Sequence, residues 1–231
     1  MIVLNNVSKQ YTTRAGMRTV LQGINMTVRP GEKLGILGRN GSGKSTLIRL
    51  IGGAEKPSSG SITRNMRVSW PLALISGFGG SLTGRDSLRL VCRLYGVDYH
   101  DKLNFVLGFT ELGRYFDEPV QSYSHGMMAR LAFAVSMVID FDCFLIDEVV
   151  AVGDSTFTER CNHELFDKRG HKSMVIVSHN ENFIRQHCDH AIVLVDGHLH
   201  NFESNEQAFI YYNASLQPQL PIQNDPEALR I

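Results

Sequence analysis

No stretch of this sequence stays apolar for the ~18–20 residues that a membrane-spanning helix needs, so no span is expected. Neither sign of charge dominates: 23 Lys and Arg balance 23 Asp and Glu across 231 residues, which argues against a nucleic-acid tail or a polybasic membrane surface. The opening MIVLNNVSKQ lacks the layout of a signal peptide. Cysteines are few: Cys92, Cys143, Cys161 and Cys188 show no C-x-x-C spacing and no disulfide-dense pattern, so a cytosolic compartment is expected. His187, His190, His198 and His200 come near one another, but their spacing fits no zinc pattern. His198 and His200 alternate on a short strand, and a structural role is the better reading. Internal repeats and low-complexity segments are also missing. What is present, 43% hydrophobic residues, suffices for one large domain or for a core with an inserted subdomain.

Apolar runs bounded by turn residues, IVLNNV and VLQGINMTV, predict two early antiparallel strands. Lys33–Gly38 (KLGILG) reads as a short buried strand, Ser45–Gly53 as a helix stopped by paired glycines, and PSSGSI as a turn into another strand. From Thr83 to Val138 the period is helical. Thr83 and Asp86 form a capping box, with Leu88, Val91, Leu94 and Tyr95 expected on one face; Met127, Met128, Leu131, Ala134, Val135 and Val138 mark a second helix. Cys143–Glu148 and Ser173–His179 are continuous apolar runs with polar carboxyl ends, the pattern of central parallel strands that carry chemistry at those ends. The closing LQPQLPIQNDPEALRI, with three prolines, reads as a loosely ordered tail.

Gly38-Arg39-Asn40-Gly41-Ser42-Gly43-Lys44-Ser45 satisfies G-x-x-x-x-G-K-[ST] in full, between a predicted strand and a predicted helix. Its glycines let backbone N–H groups turn inward, and the helix N-terminus, with Thr46 in its first turn, adds partial positive charge. Lys44 is placed for the β- and γ-phosphates and Ser45 for Mg²⁺. A P-loop needs a carboxylate strand, and Asp147 supplies it, holding the metal through water. Glu148 follows, placed to orient and deprotonate an attacking water. Nucleotide hydrolysis is therefore the leading chemistry.

Ser122–Arg130, SYSHGMMAR, is open to three readings on its own: a nucleophile with its base, a metal ligand, or a polar turn that starts a helix. With the P-loop and the carboxylate strand around it, the chain resembles the nucleotide-binding subunits of ABC transporters from about Met1 to Ala214. Tyr123-Ser-His-Gly126-Met-Met-Ala-Arg130 keeps the serine, second glycine and arginine of their LSGGQxxR signature. The resemblance implies that Ser124, His125 and Gly126 contact the γ-phosphate held by a partner copy, so ATP and a homodimer are expected. Ser124 capping a helix whose N–H groups face an anion agrees with that physically. In the same way Ala151-Val-Gly-Asp154 looks like the loop that crosses the dimer interface. His179 looks like the switch histidine at the γ-phosphate, and Tyr11 like the aromatic that stacks on adenine.

The implied fold is α/β: a P-loop NTPase core with a mainly parallel sheet, an N-terminal antiparallel β-subdomain and an inserted α-helical subdomain. The implied division is a nucleotide-binding domain over 1–215, with its helical part at about 83–138, and a tail over 216–231. Two departures stand out. The family carries a γ-phosphate-sensing glutamine after the strand that enters the helical part, yet no Gln occurs between Gln22 and Gln121, and Gly79 stands in its place. His125 replaces the first signature glycine and is expected to sit in ordinary backbone geometry.

The wording of Ser69-Trp-Pro-Leu, Gly80-Ser-Leu-Thr-Gly and Leu145-Ile-Asp-Glu-x-x-Ala-Val-Gly-Asp154 resembles ATP-binding subunits of bacterial capsular polysaccharide exporters. Relatives that export O-antigen with their own sugar-reading domain are longer, and no such domain is expected in these 231 residues. The resemblance implies a separate integral-membrane permease as partner, attachment at the cytoplasmic face of the inner membrane, and no nucleic acid. A soluble ABC-type ATPase and a module that binds ATP without hydrolysing it are the competing readings; phosphate release from Mg-ATP separates the last from the first.

Overall fold

The computed structural model describes residues 1–72, 81–147 and 155–216. The chain opens with β1 (Ile2–Thr13) and β2 (Gly16–Val28), a long antiparallel hairpin to which β4 (Ser59–Arg64) adds on the far side of β1. Ile2, Leu4 and Val7 all point inward, although a spacing of three should turn Val7 outward. An irregularity between Leu4 and Val7 resets the register. There Asn6 adopts a left-handed φ of 48°, a conformation asparagine tolerates, and its N–H donates to Asn25 Oδ1 at 2.9 Å.

The second sheet runs β5-β6-β7-β3-β8-β9, with β3 Lys33–Leu37, β5 Val68–Pro71, β6 Cys143–Asp147, β7 Ser173–Ser178, β8 His190–Val195 and β9 His198–His200. All neighbours pair in parallel except β8 with β9. Both faces are buried, which is why β6 and β7 read as unbroken apolar runs. Cys143, Leu145, Val175 and Val177 pack toward the three-stranded sheet and α1 (Lys44–Gly52). Phe144, Ile146, Met174 and Ile176 face the opposite way, into a cluster shared with α2 (Gly84–Tyr95), α3 (Tyr99–Thr110), α4 (His125–Met137) and α5 (Ser155–Asn162). The same cluster takes in α6 (Glu181–His187) through Ile184, and α7 (Asn205–Leu216) through Ala208, Phe209 and Tyr212.

Thr83 caps α2 as expected, accepting from Asp86 N–H at 3.0 Å while its hydroxyl donates to the Asp86 carboxylate at 2.8 Å. The predicted face of that helix needs one correction: Leu94 is 71% exposed, and Cys92 takes the inward place. At 100° per residue, Leu94 lies too far round from Leu88, whereas Cys92 falls close to it. In β5, Pro71 has no N–H to give, but β5 is an edge strand, where proline is tolerated. The ladder is repaired by Ser69, whose Oγ accepts from Leu145 N–H at 2.9 Å. All four cysteines are free thiols, and Cys143 is fully buried, as a core residue should be.

Candidate functional site

β3 ends at Leu37 and α1 begins at Lys44, so residues 38–43 form a loop at the carboxyl edge of the sheet. Gly41 and Gly43 adopt φ of 85° and 108°, and Gly43 is the residue from which α1 starts. A Cβ on Gly38 would stand 2.6 Å from Ser42 Oγ and 2.7 Å from Leu194 O, so the loop closes only around glycine. Lys44 is buried, its ammonium donating to Gly38 O at 2.7 Å and Arg39 O at 3.0 Å, which folds the loop around its own charge.

A cleft of about 330 Å³ opens in front of this loop, lined by Val20, Asn40, Gly41, Gly43, Lys44, Ser45, Thr46 and Asp147. The P-loop and the carboxylate strand, a hundred residues apart in sequence, are thus brought to one cavity. Its donor set fits a polyphosphate with a hard divalent cation. Backbone N–H groups and an ammonium suit the anion, and a hydroxyl with one carboxylate suits magnesium, which takes few protein ligands beside phosphate oxygens. Ser42 Oγ is buried without a hydrogen-bond partner, an atom an added oxyanion could satisfy. Val20, from β2, escaped the sequence reading because nothing in an alternating strand marks which residue will face a distant loop.

His179 directly follows β7, the strand between β6 and β3, so it emerges at the same edge as Asp147; its side chain is exposed. Glu148, Asp154 and Gly79 lie outside the described residues. Tyr11 does not line the cleft. It sits on β1, partly buried, and its hydroxyl donates to Glu55 Oε2 at 2.6 Å. Glu55 also receives Arg49 Nε at 2.6 Å and Lys9 Nζ at 3.1 Å, and the Lys9 ammonium stands 5.0 Å from the Tyr11 ring centre. Burial alone would raise the Glu55 pKa; hydrogen bonds from Tyr11, Arg49 and Lys9 outweigh it and hold the carboxyl at about 2. No sequence signal marked Glu55.

The signature stretch builds a second, separate cleft. Ser124 caps α4, its Oγ accepting from Met127 N–H at 3.2 Å, so the polar-turn reading of SYSHGMMAR is the one that the local geometry follows. His125 is the first helical residue, is exposed, and is not among the non-glycine residues with positive φ, so its replacement of glycine carries no backbone strain. Gly126 has no neighbour closer to a would-be Cβ than Ser124 Oγ at 3.9 Å. A hollow of about 360 Å³ lies here, lined by Thr110, Glu111, Leu112, Ser124, Gly126, Met127 and Arg130, and it shares no residue with the P-loop cleft.

Among the residues lining this hollow, Glu111 closes α3 with φ of 52° and receives Arg160 Nη1 at 2.5 Å and Arg130 Nη1 at 3.3 Å. The Arg160 guanidinium first, then Arg130, keeps its carboxyl below the usual range. One carboxylate therefore joins α3, α4 and α5.

A family model described as ABC transporter matches residues 21–151. The chain is 55% identical over 213 residues to the ATP-binding protein BexA of Haemophilus influenzae, covering 92% of this chain and 98% of that protein. It is also 55% identical over 214 residues to the capsule polysaccharide export ATP-binding protein CtrD of Neisseria meningitidis serogroup B, covering 93% of this chain and 99% of that one. Among solved structures, a dimeric ATP-binding cassette in a post-hydrolysis state with ADP and phosphate superposes with a TM-score of 0.73, at 22% identity, over 88% of this chain and 100% of that chain. That last likeness establishes a shared α/β fold.

Proposed function

The chain belongs to the ABC transporter family as an ATP-hydrolysing exporter subunit, and we propose that its transported substrate is a capsular or related cell-surface polysaccharide. The near-full-length identity to CtrD carries the polysaccharide assignment; the cleft that gathers Lys44, Ser45 and Asp147 supports the chemistry. The domain division stands with this reading: a nucleotide-binding unit over 1–215 with a helical part at about 83–138, then a tail. Among the described residues no helix is long and apolar enough to cross a membrane. In this reading a separate integral-membrane permease forms the path, and the chain docks on it from the cytoplasmic face of the inner membrane.

Bound ATP supplies the anhydride that is cleaved, and Mg²⁺ neutralises its phosphate charge. In the proposal the loop amides of residues 38–43 and the Lys44 ammonium hold the phosphates at the α1 N-terminus, with Thr46 beside them. The Ser45 hydroxyl and, through water, the Asp147 carboxylate hold the metal. Glu148 orients the attacking water and takes its proton, His179 positions that water against the γ-phosphate, and Tyr11 stacks on the base. Ser124, His125 and Gly126 face the nucleotide of a second copy, with Asp154 at the crossing between copies. The separation of the two clefts within one chain, and the open space before Gly126, support completion by a homodimer.

Replacing the base tests the mechanism. Glu148→Gln should keep ATP binding, lose phosphate release and accumulate as an ATP-bound dimer by size-exclusion chromatography; turnover near the wild-type rate would remove Glu148 from this role. Affinity purification from detergent-solubilised membranes tests the cargo through the permease and lipid-linked glycan that accompany the chain. Recovery with a permease for a non-saccharide cargo would refute it.

A further inference from the structure

His179 is exposed at the end of β7, and the direction in which its side chain leaves depends on how its backbone is held. On the chain itself, Ser178 Oγ accepts from Asn180 N–H at 3.0 Å, and Asn180 caps α6 through Phe183 N–H at 3.2 Å. The third restraint comes from elsewhere in the sequence. Tyr212 of α7 is 3% exposed, and its hydroxyl donates to the His179 carbonyl at 3.0 Å.

One residue along α7, Asn213 Nδ2 donates to Glu181 Oε2 at 2.8 Å, gripping the first turn of α6. Arg185 completes the clasp, bonding Glu181 and Glu206 at 2.7 Å each, with its guanidinium 4.1 Å above the Phe209 ring. At the far end of the same helix, the Ser215 carbonyl meets Arg39 Nη1 of the phosphate loop at 3.5 Å. α7 therefore spans from the P-loop to the turn that carries His179, although none of its residues lines the P-loop cleft.

We infer that α7 is the strut that orients His179 for hydrolysis, and that Tyr212 is its positioning residue. This rests on the assignment of His179 to the γ-phosphate. A hydrogen bond to the His179 carbonyl fixes the peptide plane leaving its Cα, and with it the direction of the residue's own Cα–Cβ bond; displacements well under an ångström matter to a group aligned on a reacting atom. The hydroxyl is the only group that Tyr212→Phe removes, so the apolar packing of the ring is retained.

The experiment compares Tyr212→Phe and His179→Ala in the purified full chain by steady-state phosphate release, with melting temperature alongside. Tyr212→Phe should lower kcat by about fivefold, the equivalent in rate of one neutral hydrogen bond, with KM for ATP unchanged and Tm lowered by no more than about 2–4 °C. His179→Ala should lower kcat further. If His179→Ala has no effect, the γ-phosphate assignment fails and the inference falls with it. If His179→Ala is defective while Tyr212→Phe has wild-type kcat, the strut alone is refuted. A Tyr212→Phe variant whose KM rises and whose Tm falls well beyond that range would mark Tyr212 as general packing, which also overturns the proposal.

Discussion

Gly126→Ala separates the fold from the assembly. Gly126 is the second residue of α4, and a methyl there meets nothing in the chain nearer than Ser124 Oγ at 3.9 Å. Glycine in a helix is less stable than alanine by about 0.5–1 kcal/mol, because it loses more backbone freedom on folding. The isolated chain should therefore become more stable, and for a domain of this size the midpoint should rise by about 1–4 °C. Hydrolysis should move the other way. If the α4 N-terminus meets the phosphate of a second copy, a methyl keeps that oxyanion from the N–H groups of residues 126 and 127. Losing such charge-assisted contacts costs about 3 kcal/mol, or ~100-fold in kcat. Differential scanning fluorimetry and phosphate release measure both halves. Dimer formation in the Glu148→Gln background shows whether assembly is the step lost. A drop of several degrees in Tm would mean that the fold itself requires the glycine, and full turnover would mean that nothing approaches it.

Three further outcomes are expected. Lys44→Ala should weaken ATP binding at least ~10-fold by titration calorimetry, since a buried ammonium at the phosphate loop is lost; unchanged affinity contradicts its assignment. Ser69→Ala leaves the buried Leu145 N–H without its acceptor and should cost about 1–3 kcal/mol in urea unfolding, with an unchanged midpoint as the refuting result. Glu55→Gln should cost about 1–2 kcal/mol at neutral pH. The Glu55 pKa is depressed from 4.5 to about 2, so its stabilisation is present above the unfolded value and lost as pH falls through the folded one. The gap between wild type and Glu55→Gln should close from pH ~4.5 to ~2, and a gap that does not depend on pH would refute the charge argument.

The parts of this protein legible in its sequence are those fixed by local rules. The P-loop announces itself because only glycines permit its backbone, the α2 and α4 caps because Thr83 and Ser124 precede helical periods, and β6 and β7 because two buried faces leave an unbroken apolar run. What stayed hidden depends on partners far along the chain. Glu55 matters through Tyr11, Glu111 through Arg130 and Arg160, and Tyr212 through a carbonyl at residue 179. None of these pairs has a spacing that betrays it. Leu94 differs in another way: its apolar side chain suits a buried face, but the helical angle turns it to solvent and brings Cys92 inward.

The outer strands of the six-stranded sheet bear on how copies of this chain can and cannot meet. An open edge is a template for strand addition, and through it for aggregation. One edge here is β5, four residues long and ending in Pro71; the other is β9, three residues with a histidine at each end. Neither offers a run of free donors and acceptors long enough for another chain to zip onto. Joining two six-stranded sheets strand to strand is thus discouraged at both of these edges.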